Sequence, residues 1–262
     1  MYFMLTAICL LSAIPMRKEP SHRSEMVSQV LFGEYITIGE ERNDFVFITC
    51  LYDGYQGWVQ ANQLKEVSET EIYQTSCFTN GFTSLVTIGS TSVQVPFGTP
   101  VYNPDKLSFG IASDTINYLF VPQQMWNSHE FTFTETALKA VCQPFINTPY
   151  LWGGKSVYGI DCSGFAQQVF KFFGVKLLRD AYLQAGQGVD VNYLHESKPG
   201  DLAFFQNEKG KVTHVGIVLN DGQIVHASGK VRIDKIDLEG ITSVETGKRT
   251  HRMHSIRRVV LG

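Results

Sequence analysis

Two histidines flank a turn whose length decides what they can do together. Val212-Thr213-His214-Val215-Gly216-Ile217 and Ile224-Val225-His226-Ala227 are apolar, β-branched runs, and Asn220-Asp221-Gly222 stands between them. Such runs around such a turn predict a hairpin. A two-residue Asp-Gly loop would put the imidazoles on opposite faces. A three-residue loop, with Gly222 in the left-handed region, pairs Leu219 with Gln223 and puts both histidines on one face. His226 then opposes Gly216 and lies one diagonal step from His214, roughly 7–8 Å between α-carbons and within reach of two rings. Gly216, without a side chain, leaves room for them.

A second stretch supplies a group for these imidazoles to act on. Cys162 sits between Asp161 and Ser163 where an apolar-periodic run begins, and Phe165, Val169 and Phe173 follow at helical spacing up to Gly174. The periodicity puts Cys162 on the same stripe. Free amides and the positive end of the dipole at a helix start favour a thiolate. The bland alternative is a small buried core cysteine. A nucleophilic thiol needs a base beside it and a third group to hold that base in the right tautomer. Cys162, His214 and His226, in helix-then-hairpin order, meet that requirement.

Composition narrows the partners. The net charge of −3 leaves no basic surplus for nucleic acid. The 5 cysteines (Cys9, Cys50, Cys77, Cys142, Cys162) are an odd number without a C-x-x-C pair. A zinc site is not expected from them, nor is a disulfide framework; Cys9, Cys50, Cys77 and Cys142 read as reduced core residues. No cofactor and no metal is expected. His251 and His254, among Arg249, Arg252, Arg257 and Arg258, read as part of a solvated terminal strand. His22, His129 and His195 stand in loop-like context.

The N-terminal apolar run is too short to span a bilayer. Ala7 to Met16 reads as a buried first strand and the protein as cytoplasmic. The alternative is a signal peptide and export, although a basic n-region and a clean cleavage site are missing.

The fold class expected is α+β. Residues 1–66 carry apolar runs at Val30–Phe32, Tyr35–Ile38, Phe45–Ile48 and Gly57–Val59 with turn residues between, the pattern of a small SH3-like β-barrel. Residues 67–129 read as a second, more divergent SH3-like barrel, with strands at Ser84–Thr87, Ser92–Val95 and Asn117–Val121. In residues 130–262, Thr134 caps a helix bearing Leu138, Val141, Cys142 and Phe145. The Cys162 helix follows, and then an antiparallel meander.

Asp161-Cys162-Ser163-Gly164-Phe165, His214-Val215-Gly216-Ile217 and His226-Ala227-Ser228 together resemble the NlpC-type cysteine peptidases of the papain-like clan, over most of residues 130–228. Ser24 to Glu34 and Asp53 to Val59 resemble the first bacterial SH3 domain of a cell-wall peptidase group. The combination resembles the γ-D-glutamyl-L-diamino acid endopeptidases of dipeptidyl-peptidase VI type. That resemblance implies a papain-like catalytic domain, helices packed on an antiparallel sheet, behind two SH3-like barrels. It implies Cys162 as nucleophile, His214 as base and then acid, and His226 as the orienting third member, without a fixed negative charge. The oxyanion would be held by the Cys162 amide and by Tyr150, in the matching stretch Tyr150-Leu151-Trp152-Gly153-Gly154.

The substrate implied is a small murein peptide with a free N-terminal amine, cut to release L-Ala-D-Glu in cell-wall peptide recycling. Asp161 would clamp the amine, or serve only as a helix cap. The first SH3 domain would close the site with Glu25 and Tyr55, with Trp152 as a wall and Ser163 as a polar contact. Leu178-Arg179-Asp180-Ala181 resembles the segment lining that pocket. Ala181 departs from the small hydroxyl residue often found there in similar enzymes, which puts one substrate hydrogen bond in doubt. A monomer without an integral membrane segment is expected. The alternatives are a hydrolase of intact peptidoglycan, needing an open cleft and export, and a non-catalytic wall-binding protein.

Overall fold

The computed structural model describes residues 5–130, 132–220 and 222–260. They divide into two compact units. One runs to Glu130 and takes in Trp152–Val157; the other holds the remainder.

In the first unit, β1 (Leu5–Cys9), β2 (Ala13–Arg17), β3 (Met26–Leu31), β4 (Tyr35–Arg42), β5 (Phe45–Cys50), β6 (Gln56–Gln60) and β7 (Leu64–Val67) form one antiparallel sheet. Their order is β3-β2-β6-β5-β4-β1-β7. Ala7, Ile14, Met16, Val30, Ile36, Ile48 and Val59 fill its core. The single strand expected at Ala7–Met16 is in fact two, broken at Leu10–Ser12. Pairing explains the break. β1 lies between β4 and β7, whereas β2 pairs with β3 and β6, and one straight strand cannot serve both sets of neighbours.

Further along, β8 (Cys77–Thr79) pairs with β13 (Met125–Asn127). β9 (Thr83–Ile88), β10 (Thr91–Pro96), β11 (Ser108–Ile111) and β12 (Asp114–Tyr118) make a four-stranded sheet in the order β10-β9-β12-β11. Ile8 and Tyr35 of the first sheet, with Phe32 in the turn after β3, share one buried cluster with Val86, Val95, Tyr102, Phe109, Ile116 and Tyr118. The Tyr102 hydroxyl donates to the Gly33 carbonyl at 2.7 Å. The short strand β14 (Lys155–Ser156) belongs to this unit. Lys155 is buried, and its ammonium lies 3.1 and 3.2 Å from the two Glu34 carboxylate oxygens. That pair meets the rule that a buried charge needs a partner.

The second unit begins with α1 (Glu135–Cys142), whose Thr134 Oγ1 accepts from the Ala137 amide at 3.1 Å. Then come β15 (Gly159–Ile160), α2 (Cys162–Lys171), α3 (Ala181–Gln184) and β16 (Val189–Asp190). Six longer or central strands follow: β17 (Leu202–Gln206), β18 (Val212–Val218), β19 (Gln223–Ser228), β20 (Lys230–Asp237), β21 (Gly240–Thr242) and β22 (Arg249–Arg258). Consecutive strands pair from β17 to β21, and β22 pairs with both β17 and β21. The expected meander therefore closes on itself through its C-terminal strand. Ala203, Phe205, Val218, Ile224, Ile236, Ile241 and Ile256 form the cluster it encloses. α2 lies against β18 and β19.

Candidate active site

The hairpin register is the one a three-residue turn requires. The Leu219 amide donates to the Gln223 carbonyl at 2.8 Å, Ile217 opposes Val225, and Gly222 has φ +66°. Asp221 lies outside the described residues. His214 and His226 consequently share a face, and His214 Nε2 stands 2.8 Å from His226 Nδ1. A β-carbon on Gly216 would lie 2.6 Å from Ile224 Cδ1 and 3.0 Å from His226 Cβ, so only glycine leaves the second imidazole in place.

That face is the enclosed one. Phe205 opposes His214, and Ala203 opposes Gly216. Asp234 follows on β20 with the parity of Ile236 in the enclosed cluster. Its Oδ2 lies 3.0 Å from His226 Nε2. Sequence reasoning missed this carboxylate. Its one local signal is an acid at an inward position between Arg232 and Ile236. Burial opposes its charge, but the Val244 amide, His226 and Arg232 outweigh that and hold its carboxyl below the ordinary range.

Donor counting now fixes the tautomers. The Asp234 carboxylate only accepts, so His226 carries its proton on Nε2. His226 Nδ1 must then accept, so His214 donates from Nε2. The lone pair of His214 is left on Nδ1. The expected third member without fixed charge thus has a carboxylate behind it.

His251 corrects a second expectation. The terminal strand β22 does expose Arg249, Arg252 and His254, but His251 turns inward and stacks on His214 with ring centroids 4.1 Å apart. Barrel closure brings β22 round to face β18 from beyond β17, and both rings also meet Phe205.

Cys162 opens α2. Asp161 Oδ1 caps the helix by accepting from the Gly164 amide at 2.7 Å. The same carboxylate is held by buried Arg179, whose Nη1 and Nη2 donate to Oδ1 and Oδ2 at 3.0 and 2.7 Å. Arg179 Nη1 also donates to Ser163 Oγ at 3.0 Å. Arg179→Met would leave the Asp161 charge buried and unpaired, so a loss of about 3–5 kcal/mol is expected. Urea melts of the variant, against Asp161→Asn/Arg179→Met with both charges removed, measure it. Equal losses in the two would contradict this account.

The thiol departs from the expected thiolate. Burial comes first and the Asp161 carboxylate second; together they push Cys162 up to about 12, against the opposing backbone contacts of Val215 and Ser163 and the charge of Arg179. Burial, with His251 and His226 close by, holds His214 well below 6.5. Thiol and imidazole are therefore both neutral at rest. Among the described residues no hydrogen bond joins the Cys162 sulfur to an imidazole. In free enzymes catalytic hydrogen bonds are often long and tighten with substrate. Burial, then Cys162 and Asp161, raise the Tyr150 phenol, so it stays a donor at neutral pH.

Burial also lowers His226 and brings His251 to about 4. Below pH 6.5 the unfolded chain then binds protons that the folded chain refuses. Stability is complete above 6.5 and falls as pH drops through the window below it. Urea midpoints measured from pH 7 to 5 are expected to decline; a level midpoint would contradict the buried neutral cluster.

The other expected residues stand in the first unit. Trp152 Nε1 donates to Glu25 Oε1 at 2.8 Å, and both side chains are exposed. Tyr55 packs at the edge of the first sheet's core, its amide on Asp53 Oδ1 at 3.0 Å.

Residues 147–257 match the NlpC/P60 family, and residues 16–64 match the bacterial dipeptidyl-peptidase Sh3 domain. The γ-D-glutamyl-L-lysine dipeptidyl-peptidase of Bacillus subtilis (strain 168) is 30% identical over 215 residues, 76% of this chain and 71% of its own. Dipeptidyl-peptidase 6 of Lysinibacillus sphaericus is 28% identical over 260 residues, 89% and 92% of the two chains. A crystal structure of an NlpC/P60 family protein from Bacillus cereus ATCC 10987 overlays 97% of this chain and 99% of its own, with TM-score 0.78 at 21% identity, a likeness of fold. With an SH3 domain of the dipeptidyl-peptidase kind ahead of that matched region, the chain belongs to the NlpC/P60 family and is a hydrolase, a peptidase.

Proposed function

We propose that this peptidase is a cysteine endopeptidase that cuts the γ-D-glutamyl–diamino acid bond of small murein peptides bearing a free N-terminal L-alanine, releasing L-Ala-D-Glu. The observation that carries the chemistry is the relay Asp234–His226–His214, which leaves one lone pair on His214 Nδ1. The substrate rests on the relatives, two of which are named for γ-D-glutamyl-L-lysine. The proposal includes two SH3-like modules, residues 1–66 and 67–129, ahead of a catalytic domain at 130–262. It also includes a cytoplasmic setting, in keeping with five free cysteines.

In this mechanism His214 Nδ1 takes the Cys162 proton as sulfur attacks the γ-carbonyl. The oxyanion accepts from the Cys162 amide and the Tyr150 hydroxyl. His214 returns the proton to the leaving amine, and a thioester remains. Water then attacks the thioester, giving its proton to His214, which passes it to the departing thiolate. His226 holds the tautomer, and Asp234 stabilises the single positive charge on the His214–His226 pair. The neutral resting thiol needs substrate to align it, so proton transfer and attack are coupled.

Asp161 and Ser163, already engaged by Arg179, would line the pocket as a neutralised set. By resemblance alone, Glu25 would offer a carboxylate to the amine and Trp152 and Tyr55 would stand beside the peptide. Glu25→Gln is expected to raise KM by about 10- to 100-fold, the worth of a hydrogen bond to a charged group, with kcat little changed. The reading is tested by comparing L-Ala-γ-D-Glu-L-Lys with its N-acetyl form and with whole sacculi. A preference for the free amine on the order of 100-fold or more is expected. Equal rates, or faster release from sacculi, would favour the polymer hydrolase instead.

A further inference from the structure

Three imidazoles from three strands meet inside one barrel. His214 on β18, His226 on β19 and His251 on β22 each offer a ring nitrogen, and the three nitrogens lie within 4.8 Å of one another. The proposed peptidase chemistry uses the first two and gives His251 no task. We propose that the three histidines form a site for a divalent transition-metal ion of the zinc type, and that a bound ion turns the peptidase off by taking the lone pairs its relay needs.

The donor set fits such an ion. Three imidazoles and one open position are a common ligand set for zinc, and imidazole nitrogen ranks among its preferred donors. Two of the three rings are buried and the third is half-buried, so the cluster is largely shielded from water. The surroundings orient them as well. Asp234 accepts from His226 Nε2 at 3.0 Å, the carboxylate–histidine pairing that steadies metal ligands, and leaves Nδ1 aimed into the cluster. Thr250 Oγ1 lies 2.8 Å from His251 Nδ1, which leaves Nε2 for the ion.

Geometry asks for a small separation of two rings and a reorientation of the third. Tetrahedral zinc with bonds of about 2.0–2.1 Å sets its nitrogens about 3.3 Å apart. His214 Nε2 and His226 Nδ1, at 2.8 Å, must part slightly. His251, stacked on His214 at an interplanar angle of 22°, must turn out of that stack so that its ring plane meets the ion, and it is only half-buried, so it has that freedom. The ion replaces the proton between His214 Nε2 and His226 Nδ1, and each nitrogen donates its lone pair to the metal. The displaced proton moves to His214 Nδ1, which keeps that ring a neutral ligand. On Nδ1 it occupies the lone pair that would take the thiol proton, so the base is lost. Removing the ion restores it.

Co2+ titration of Cys162→Ala tests the site without the thiol and without reading activity, so it stands apart from any failure of the substrate proposal. One Co2+ per chain is expected, with the visible absorption of a four-coordinate ion, displaced by Zn2+. His251→Phe in that background keeps an aromatic ring but loses the ligand, and roughly tenfold or greater weakening is expected. In wild type, Zn2+ inhibition reversed by EDTA should weaken in step in His251→Phe, each rate taken against the same protein without metal. Absent Co2+ binding, or affinity and inhibition unchanged by His251→Phe, would overturn the proposal, the latter placing the ion elsewhere. Cys162→Ser and His251→Gln carry the same titrations if the first variants fail to fold.

Discussion

Cys162→Ala is expected to lower kcat/KM by about four to six powers of ten, and His214→Ala by about as much, while the double variant loses no more than either alone. The reason is that the two act as a unit. With a thiol held as high as about 12, Cys162 has little reactivity of its own at neutral pH and depends on His214 for every attack. An imidazole without a nucleophile has nothing to deprotonate. What remains in each variant is binding and the oxyanion donors, which neither substitution touches. Cys162→Ala removes one sulfur and its α2 cap is Asp161, so thermal melts should show a folded protein. Steady-state kinetics of the three variants decide the point. Losses that add on a logarithmic scale would mean that thiol and imidazole contribute separately.

Asp234→Asn is expected to cost about 10²- to 10⁴-fold in kcat/KM, carried by kcat, with the fold intact. The Val244 amide can still donate to the new carbonyl as it does to Asp234 Oδ1 at 2.8 Å. The new amide nitrogen, however, is a donor where a carboxylate only accepted. His226 must then accept on Nε2 and carry its proton on Nδ1. His214 must accept on Nε2 and carry its proton on Nδ1. One substitution on β20 thereby moves a proton onto the nitrogen that should be the base. A change confined to KM would contradict this relay.

Much of this site was legible in the sequence. Asn220 to Gly222 marked the hairpin turn and left two registers of His214 against His226, of which only the three-residue turn seen in the structure puts both imidazoles on one face. Asp161 before Cys162 marked the helix start. Two parts were hidden for physical reasons. Asp234 and His251 face the cluster because β22 pairs with both β17 and β21, and closure of a barrel is a property of all six strands, visible in none of them. The thiol's protonation state depends on burial and on the Arg179–Asp161 pair, whose members are 18 positions apart. In the first unit, Glu34 and Lys155 meet across 121 positions, beyond any local pattern. The N-terminal run was misread as one strand because apolar periodicity cannot show which neighbours each half will pair with.

The most direct measurement is mass-spectrometric detection of L-Ala-D-Glu from L-Ala-γ-D-Glu-L-Lys, with wild type and Cys162→Ala at equal concentration. The account predicts steady dipeptide release by wild type and none above background from the variant. Release at equal rates by both proteins, or by neither, would contradict it.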